Sequence, residues 1–378
     1  MNTKTVIILA AGALVLVLAF LNRPHRTLPV PPPEPQEPLT AKRVFKPRLP
    51  APRLAAAAPV AEPQPDATPS TNLLARLLKD GHALKLSLEQ VAPYLRDNQR
   101  SAESLLAAFR ATGHAALLRE AAQNYPNDPR VNLAACLTFR NEMSPEDSRQ
   151  RLDAFKQSAP DNPLANYLSA LKHFESGQTD QAIQELVAAC GKSKFQDYSV
   201  EPILGMEEAY RKAGYSDVEA KAASGQQWPD ALFIQLRSLL YCQVDLASVY
   251  RQAGDEASAQ AVLRFGVIMG RQVADQSPQP FLTSDMMGPA IESAALAGVG
   301  DGRPGLDPTS PYDDAGRTVK DRIDELNQRA AIQKTLRTQA QDLLQGLSEQ
   351  DLISFFDRKK VLGEMKALQW AMSKQGNR

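Results

Sequence analysis

Four histidines and three cysteines are the side chains of this 378-residue chain best suited to nucleophilic, acid–base or metal chemistry. Their spacing argues against all three. His25, His82, His114 and His173 stand near no acid or nucleophile at a catalytic spacing, and no GxSxG, HExxH or phosphate-loop sequence occurs. Cys136, Cys190 and Cys242 are odd in number and lack a CxxC pair, and histidine is scarce, which argues against a disulfide framework and a zinc site. They lie in alanine- and leucine-rich runs, where a thiol is expected as a small buried apolar group. Gly300-Asp301-Gly302-Arg303-Pro304-Gly305 spells GxGxxG. A dinucleotide fingerprint needs a strand before it and a helix opening within it, and here Pro304 and "DPTSPYDD" continue as loop. Asp301, Asp307, Asp313 and Asp314 lack the alternate-position spacing and closing Glu of a calcium loop. The chain is therefore expected to be no enzyme, with no catalytic residue, no cofactor and no metal. Convergent catalytic groups need no local motif, so an enzyme with its site near the 275–317 loop stands as an alternative.

Charge narrows the partners. Lys+Arg and Asp+Glu each number 43, which hides a split. Residues 23–70 carry seven basic and four acidic residues; residues 71–378 carry 35 and 39. A mildly acidic body without a basic block makes a poor nucleic-acid binder, so no nucleic-acid partner is expected.

The elements that would position a binding surface begin with Thr5–Leu21, seventeen residues without a charge. That length reaches the lower edge of a bilayer span. The apolar run continues through Phe20 and Leu21 past the cleavable Val17-Leu18-Ala19, which favours an uncleaved anchor over residues 1–22. Lys4 and Arg23 with Arg26 nearly balance, while an apolar segment so near the start has the layout of an export signal. The expectation is a single-pass protein of a bacterial inner membrane, its body outside the cytoplasm. Residues 23–70 hold fourteen of the 28 prolines. Proline lacks the amide hydrogen and fixes φ, so this stretch reads as a disordered, polyproline-II-like tether. Extended, it would reach about 150 Å at ~3.1 Å per residue.

From Thr71 onward apolar residues recur at spacings of three and four, and no convincing alternating run appears. Ser87-Leu88-Glu89-Gln90 reads as a capping box, and Ser144-Pro145-Glu146-Asp147 as a helix start with proline at its first position. The body is expected to be all-α. Its helices also repeat. Pro126 and Pro160, like Pro129 and Pro163, are 34 residues apart, and "EEAYRKAG" at Glu207–Gly214 returns as "ASVYRQAG" at Ala247–Gly254.

Asp161–Ala189, "DNPLANYLSALKHFESGQTDQAIQELVAA", resembles a tetratricopeptide repeat, a family with that period. Ala170 and Ala182 match its two small crossing residues, Gly177 its turn, and Leu186 and Ala189 its inner face. Val244–Gly266 is a second match through Leu246, Ala247, Tyr250, Gly254, Ala259, Leu263 and Gly266. Ile203–Ser224 departs from the pattern, because Glu207 and Glu219 replace small residues. The resemblance covers about residues 129–270 and implies an irregular α-solenoid of helical hairpins over 71–274. It also implies a protein or peptide partner held by first-helix residues, here Asn166, Lys172, His173, Gln243 and Tyr250. A loop-rich excursion spans 275–317, with one short helix around Met286, Met287 and Ile291.

Residues 318–378 read as two helices. Val319, Ile323, Leu326 and Ala330 stripe the first, which continues with Ile332, Leu336, Ala340, Leu343 and Leu347. Ser348 and Asp351 cap the second, whose face is Leu352, Phe355, Phe356, Leu362, Leu368 and Met372. They are expected to cap the solenoid's end, with a homodimer face as the sharper alternative. The whole reads as a membrane-anchored scaffold or adaptor in an envelope-associated complex. A self-assembling structural spacer is a further alternative.

Overall fold

The computed structural model describes residues 73–80, 84–225, 230–275, 282–299 and 303–375. The described residues all fall within one compact unit. The expected anchor (1–22) and tether (23–70) lie outside the described residues. Among the described residues no helix is long and apolar enough to cross a membrane.

The described part of the body is all-α apart from one minimal hairpin. Its helices are α1 (Leu73–Asp80), α2 (Leu88–Asp97), α3 (Ala102–Thr112), α4 (Ala115–Asn124), α5 (Pro129–Thr138), α6 (Pro145–Ser158), α7 (Leu164–Glu175) and α8 (Thr179–Cys190). Then come α9 (Glu201–Lys212), α10 (Asp217–Ser224), α11 (Asp230–Gln252), α12 (Glu256–Ala274) and α13 (Leu282–Ala297). After strands β1 (Gly298–Val299) and β2 (Arg303–Pro304) follow α14 (Val319–Gln345), α15 (Glu349–Leu362) and α16 (Glu364–Gln375). The strands pair antiparallel.

Local chemistry starts these helices where the sequence signals it. Ser87 Oγ accepts from Gln90 N at 3.2 Å, and Gln90 Oε1 accepts from Ser87 N at 2.9 Å, the reciprocal capping box. Ser144 Oγ accepts from Asp147 N at 3.1 Å ahead of Pro145. Ser348 Oγ accepts from Asp351 N at 3.2 Å. Gly177, Gly214 and Gly254 turn α7 into α8, α9 into α10 and α11 into α12 with φ of 72°, 95° and 77°, a region costly to residues with a Cβ. At the α7–α8 crossing Ala170 and Ala182 are both fully buried.

The hairpins do not lie in a single file. α11 packs on α7, while α9 packs on α2 and α3, and α10 on α1 and α15. Two apolar cores result. One joins Leu105, Leu118, Met206, Tyr210, Phe355 and Leu368; the other joins Leu168, Leu186, Leu236, Leu263 and Ile291. The extended segment after α8 makes the detour. Phe195 buries in the second core, and Asn162 Nδ2 holds the Gln196 carbonyl at 2.8 Å.

The C-terminal part differs from the expectation of two helices capping the array's end. It forms three, with a break at Gly363 (φ 88°). α14 spans both cores, with Leu326 in the second and Leu336 and Leu343 in the first. α15 docks on α10 rather than beyond the last hairpin. Ile332, Leu362 and Met372 are exposed, because α14 touches the body along a narrow stripe and the bend turns the end of α15 outward.

Glu207, the residue that breaks the repeat pattern, secures this docking. Its carboxylate is almost fully buried and accepts from Lys360 Nζ at 2.7 and 2.9 Å, with Lys221 Nζ at 3.6 Å. Asp357 meets Lys221 at 2.5 Å and Lys360 at 2.9 Å. Glu219 leaves the packing seam and closes the capping box with Ser216. In the second core α12 and α13 cross backbone to backbone. A Cβ at Gly270 would lie 2.6 Å from Glu292 N, and one at Gly288 would lie 2.5 Å from Ala274 N.

Glu207→Ala is expected to cost about 1.5–3 kcal/mol, because Lys360 and Lys221 lose a buried acceptor and keep the half-exposed Asp357. Urea denaturation should show the Glu207→Met, Lys360→Met double variant losing less. Gly270→Ala and Gly288→Ala should each lose about 1–3 kcal/mol from overpacking. Gly191→Ala, whose added Cβ meets nothing closer than 3.9 Å, should stay within about 0.5 kcal/mol of the parent.

Candidate functional site

The five residues expected to face a partner divide by burial. Asn166 is buried in the α7–α8 seam, where its Nδ2 donates to Glu185 Oε2 at 2.7 Å and its Oδ1 accepts from Lys192 Nζ at 2.6 Å. Gln243 is fully buried in α11, and neither amide atom meets a hydrogen-bond partner among the described residues. Both side chains are interior in the folded chain, where a groove-facing residue was expected to be exposed. The expectation rested on the resemblance, which presents the first helix of each hairpin to a ligand. Here α7 and α11 are enclosed by neighbours on most sides.

Lys172, His173 and Tyr250 are half-exposed. Lys172 Nζ lies 3.6 Å from Glu175, and His173 Nδ1 lies 2.8 Å from Gln178 Oε1. Burial, then the charges of Asp180 and Asp255, push the Tyr250 phenol up. Among the described residues no hydrogen bond or ion pair joins any two of the five.

The concavity that the helices do build lies between α4, α5 and α6. It encloses about 490 Å³. Ala122, Pro126, Phe139, Met143 and Ala154 supply apolar wall, and Arg119, Glu142, Asp147 and Arg151 supply charge. Arg119 bonds Glu142 at 2.9 Å and stacks over the Phe139 ring at 4.9 Å. Arg151 donates to Asn132 Oδ1 at 3.3 Å, and Asn132 is held by the Pro126 carbonyl at 2.9 Å. No short motif marks this groove. Its residues come from three helices and the two connections between them, and only the hairpin packing assembles them.

The 275–317 excursion is stitched to the body rather than open. α13 is longer than the short helix expected, and it buries Met287 and Ile291. Arg251 donates to the carbonyls of Pro304 at 2.6 Å and Gly305 at 2.7 Å. Arg303 pairs with Asp245.

Below lies a polar centre that the motifs did not signal. The Glu292 carboxylate accepts from Arg322 at 2.8 and 3.2 Å, from Arg271 at 3.3 Å and from the Tyr312 hydroxyl. Arg271 also stacks over the Tyr312 ring at 4.3 Å. Burial would raise the Glu292 carboxyl, but the Arg322 and Tyr312 hydrogen bonds and the arginine charges outweigh it and hold it below the usual carboxylate range. Burial, then the bond to Glu292, pushes the Tyr312 phenol up to about 12. A carboxylate engaged by so many donors is a structural anion, not a free base. The sequence signal was a lone acid inside the apolar run "PAIESAALA". Among the described residues no cluster of His, Cys, Asp and Glu has the arrangement of a metal site.

No protein-family profile, curated protein or solved structure matches the chain.

Because the folded Glu292 carboxyl is depressed, its stabilisation is full above the ordinary carboxylate range, near pH 4.3, and is lost as pH falls through the folded value. Glu292→Gln should therefore destabilise the protein by roughly 3 kcal/mol at neutral pH and by progressively less on acidification. Urea midpoints measured from pH 7 down to 3 check the convergence.

Proposed function

We propose that the chain is a membrane-anchored, tetratricopeptide-like helical scaffold, an irregular α-solenoid whose body binds a protein or peptide in an envelope-associated complex. The groove between α4, α5 and α6 carries this reading. Its apolar walls can take side chains, and its paired and half-paired charges can meet peptide polar groups, the combination that recognition grooves use. α6 is about 21 Å long at 1.5 Å per residue, which spans about six residues of an extended peptide. Half-exposed Lys172, His173 and Tyr250 supply further contact candidates on α7 and α11. The fully buried Ala170 and Ala182 at a tight helix crossing support the family resemblance. The uncharged segment at 5–21 and the proline-rich stretch after it support an anchored body on a long tether.

The test is in-cell crosslinking and pull-down of the full-length protein, of a form lacking residues 1–70, and of full-length Met143→Glu and Arg151→Glu. The expected result is one heterologous partner whose recovery falls about tenfold or more in the groove variants, the scale of a binding hot spot. Recovery only from anchored forms would make membrane placement part of recognition; equal recovery from both would assign recognition to the body. Recovery of the chain alone, or of a partner indifferent to the groove variants, would overturn the proposal.

A further inference from the structure

The bend between α15 and α16 carries a surface that the scaffold reading does not use. Arg358, Val361 and Leu362 share one face of α15 at spacings of three and four. Lys366, Trp370 and Lys374 share one face of α16 at spacings of four. The Trp370 ring joins the two faces, with the Arg358 guanidinium 4.8 Å and the Lys374 ammonium 5.8 Å from its centre. Val361 is 71% exposed and Leu362 44%. Arg358, Lys366 and Lys374 are exposed and have no ion-pair partner among the described residues. The neighbouring acids are already engaged: Asp357 by Lys221 and Lys360, and Glu364 by Lys359. The surface is thus cationic and aromatic, with two bare aliphatic side chains, on a body that is acidic overall.

We infer that this face docks on an anionic phospholipid bilayer. Each part has a matching layer. The cations suit the headgroup phosphates, Trp370 suits the interface, and Val361 and Leu362 reach toward the acyl boundary. A phosphate track alone would leave the two aliphatic side chains in water. A symmetric contact with a second copy would set three cations against their own equivalents with no acid in the face to answer them. The proposal stands apart from the α4–α6 groove and from any peptide held there.

The chain contains two tryptophans, so Trp228→Phe leaves Trp370 as the sole tryptophan, excited selectively over the tyrosines at the red edge of its absorption. The full chain is mixed with brominated-lipid vesicles of phosphatidylcholine, with or without phosphatidylglycerol. Whether or not residues 1–22 insert, quenching reports this face. Quenching is expected with phosphatidylglycerol and should fade as salt is raised. Each cation contributes about fivefold to partitioning, so Arg358→Glu, Lys366→Glu and Lys374→Glu together remove more than about a hundredfold. Val361→Asp with Leu362→Gln changes only exposed side chains and should weaken quenching with the circular dichroism unchanged. Absent quenching, or equal quenching by neutral vesicles, would overturn the inference. So would a doubled mass abolished by the same variants, which assigns the face to a second copy, or a fluorescence response to nucleic acid alone.

Discussion

A buried carboxylate that must be answered by lysine organises this molecule. Glu207 stands on the buried side of α9, and removing a charge from water is tolerable only with a close counter-charge. Lys360 comes from more than one hundred and fifty positions further along the chain. Answering Glu207 therefore fixes the last helices against a hairpin in the middle of the sequence. The detour of α9–α10 toward the N-terminal helices, the bridging course of α14 and the seat of α15 on α10 are parts of one arrangement.

Two cores follow, and they are built differently. The first fills the space between hairpins from the beginning, middle and end of the chain with leucine and aromatic side chains. The second closes through small residues, where α12 and α13 approach until Gly270 and Gly288 leave no room for a Cβ. That close crossing buries Glu292 under the excursion, and the arginines and Tyr312 then neutralise it. The least ordinary loop of the sequence is thus held by charge pairs and backbone carbonyls. It carries the mark of a structural brace. The α4–α6 groove lies elsewhere, among short helices whose ends leave mixed apolar and charged groups facing solvent.

Local patterns decided much of what is seen. Hydroxyl caps at Ser87, Ser144 and Ser348 and the turn glycines at 177, 214 and 254 act within a few residues, so an all-α body of paired helices could be read directly from the order of residues. The alanines at 170 and 182 were equally plain, because tight crossings tolerate little else. The same patterns could not say which hairpin lies beside which. An apolar face is satisfied by any complementary face, and the choice between them rests on contacts separated by hundreds of residues.

That is also why the candidate surface was only partly legible. Asn166 and Gln243 look like surface residues on an amphipathic helix, but neighbours on several sides enclose them. Arg119, Phe139, Met143 and Arg151 carry no motif, and become one groove only when α4, α5 and α6 pack. The helical class, the helix starts and turns, and the apolar and proline-rich segments ahead of the body were legible along the chain, since each depends on short-range sterics, capping or composition. The pairing of Glu207 with Lys360, the split into two cores, the groove and the exposure of Val361 and Leu362 at the bend came from the packing of distant elements. Those follow from which distant faces meet, and burial and charge neutralisation act between whole elements rather than between neighbours in the chain.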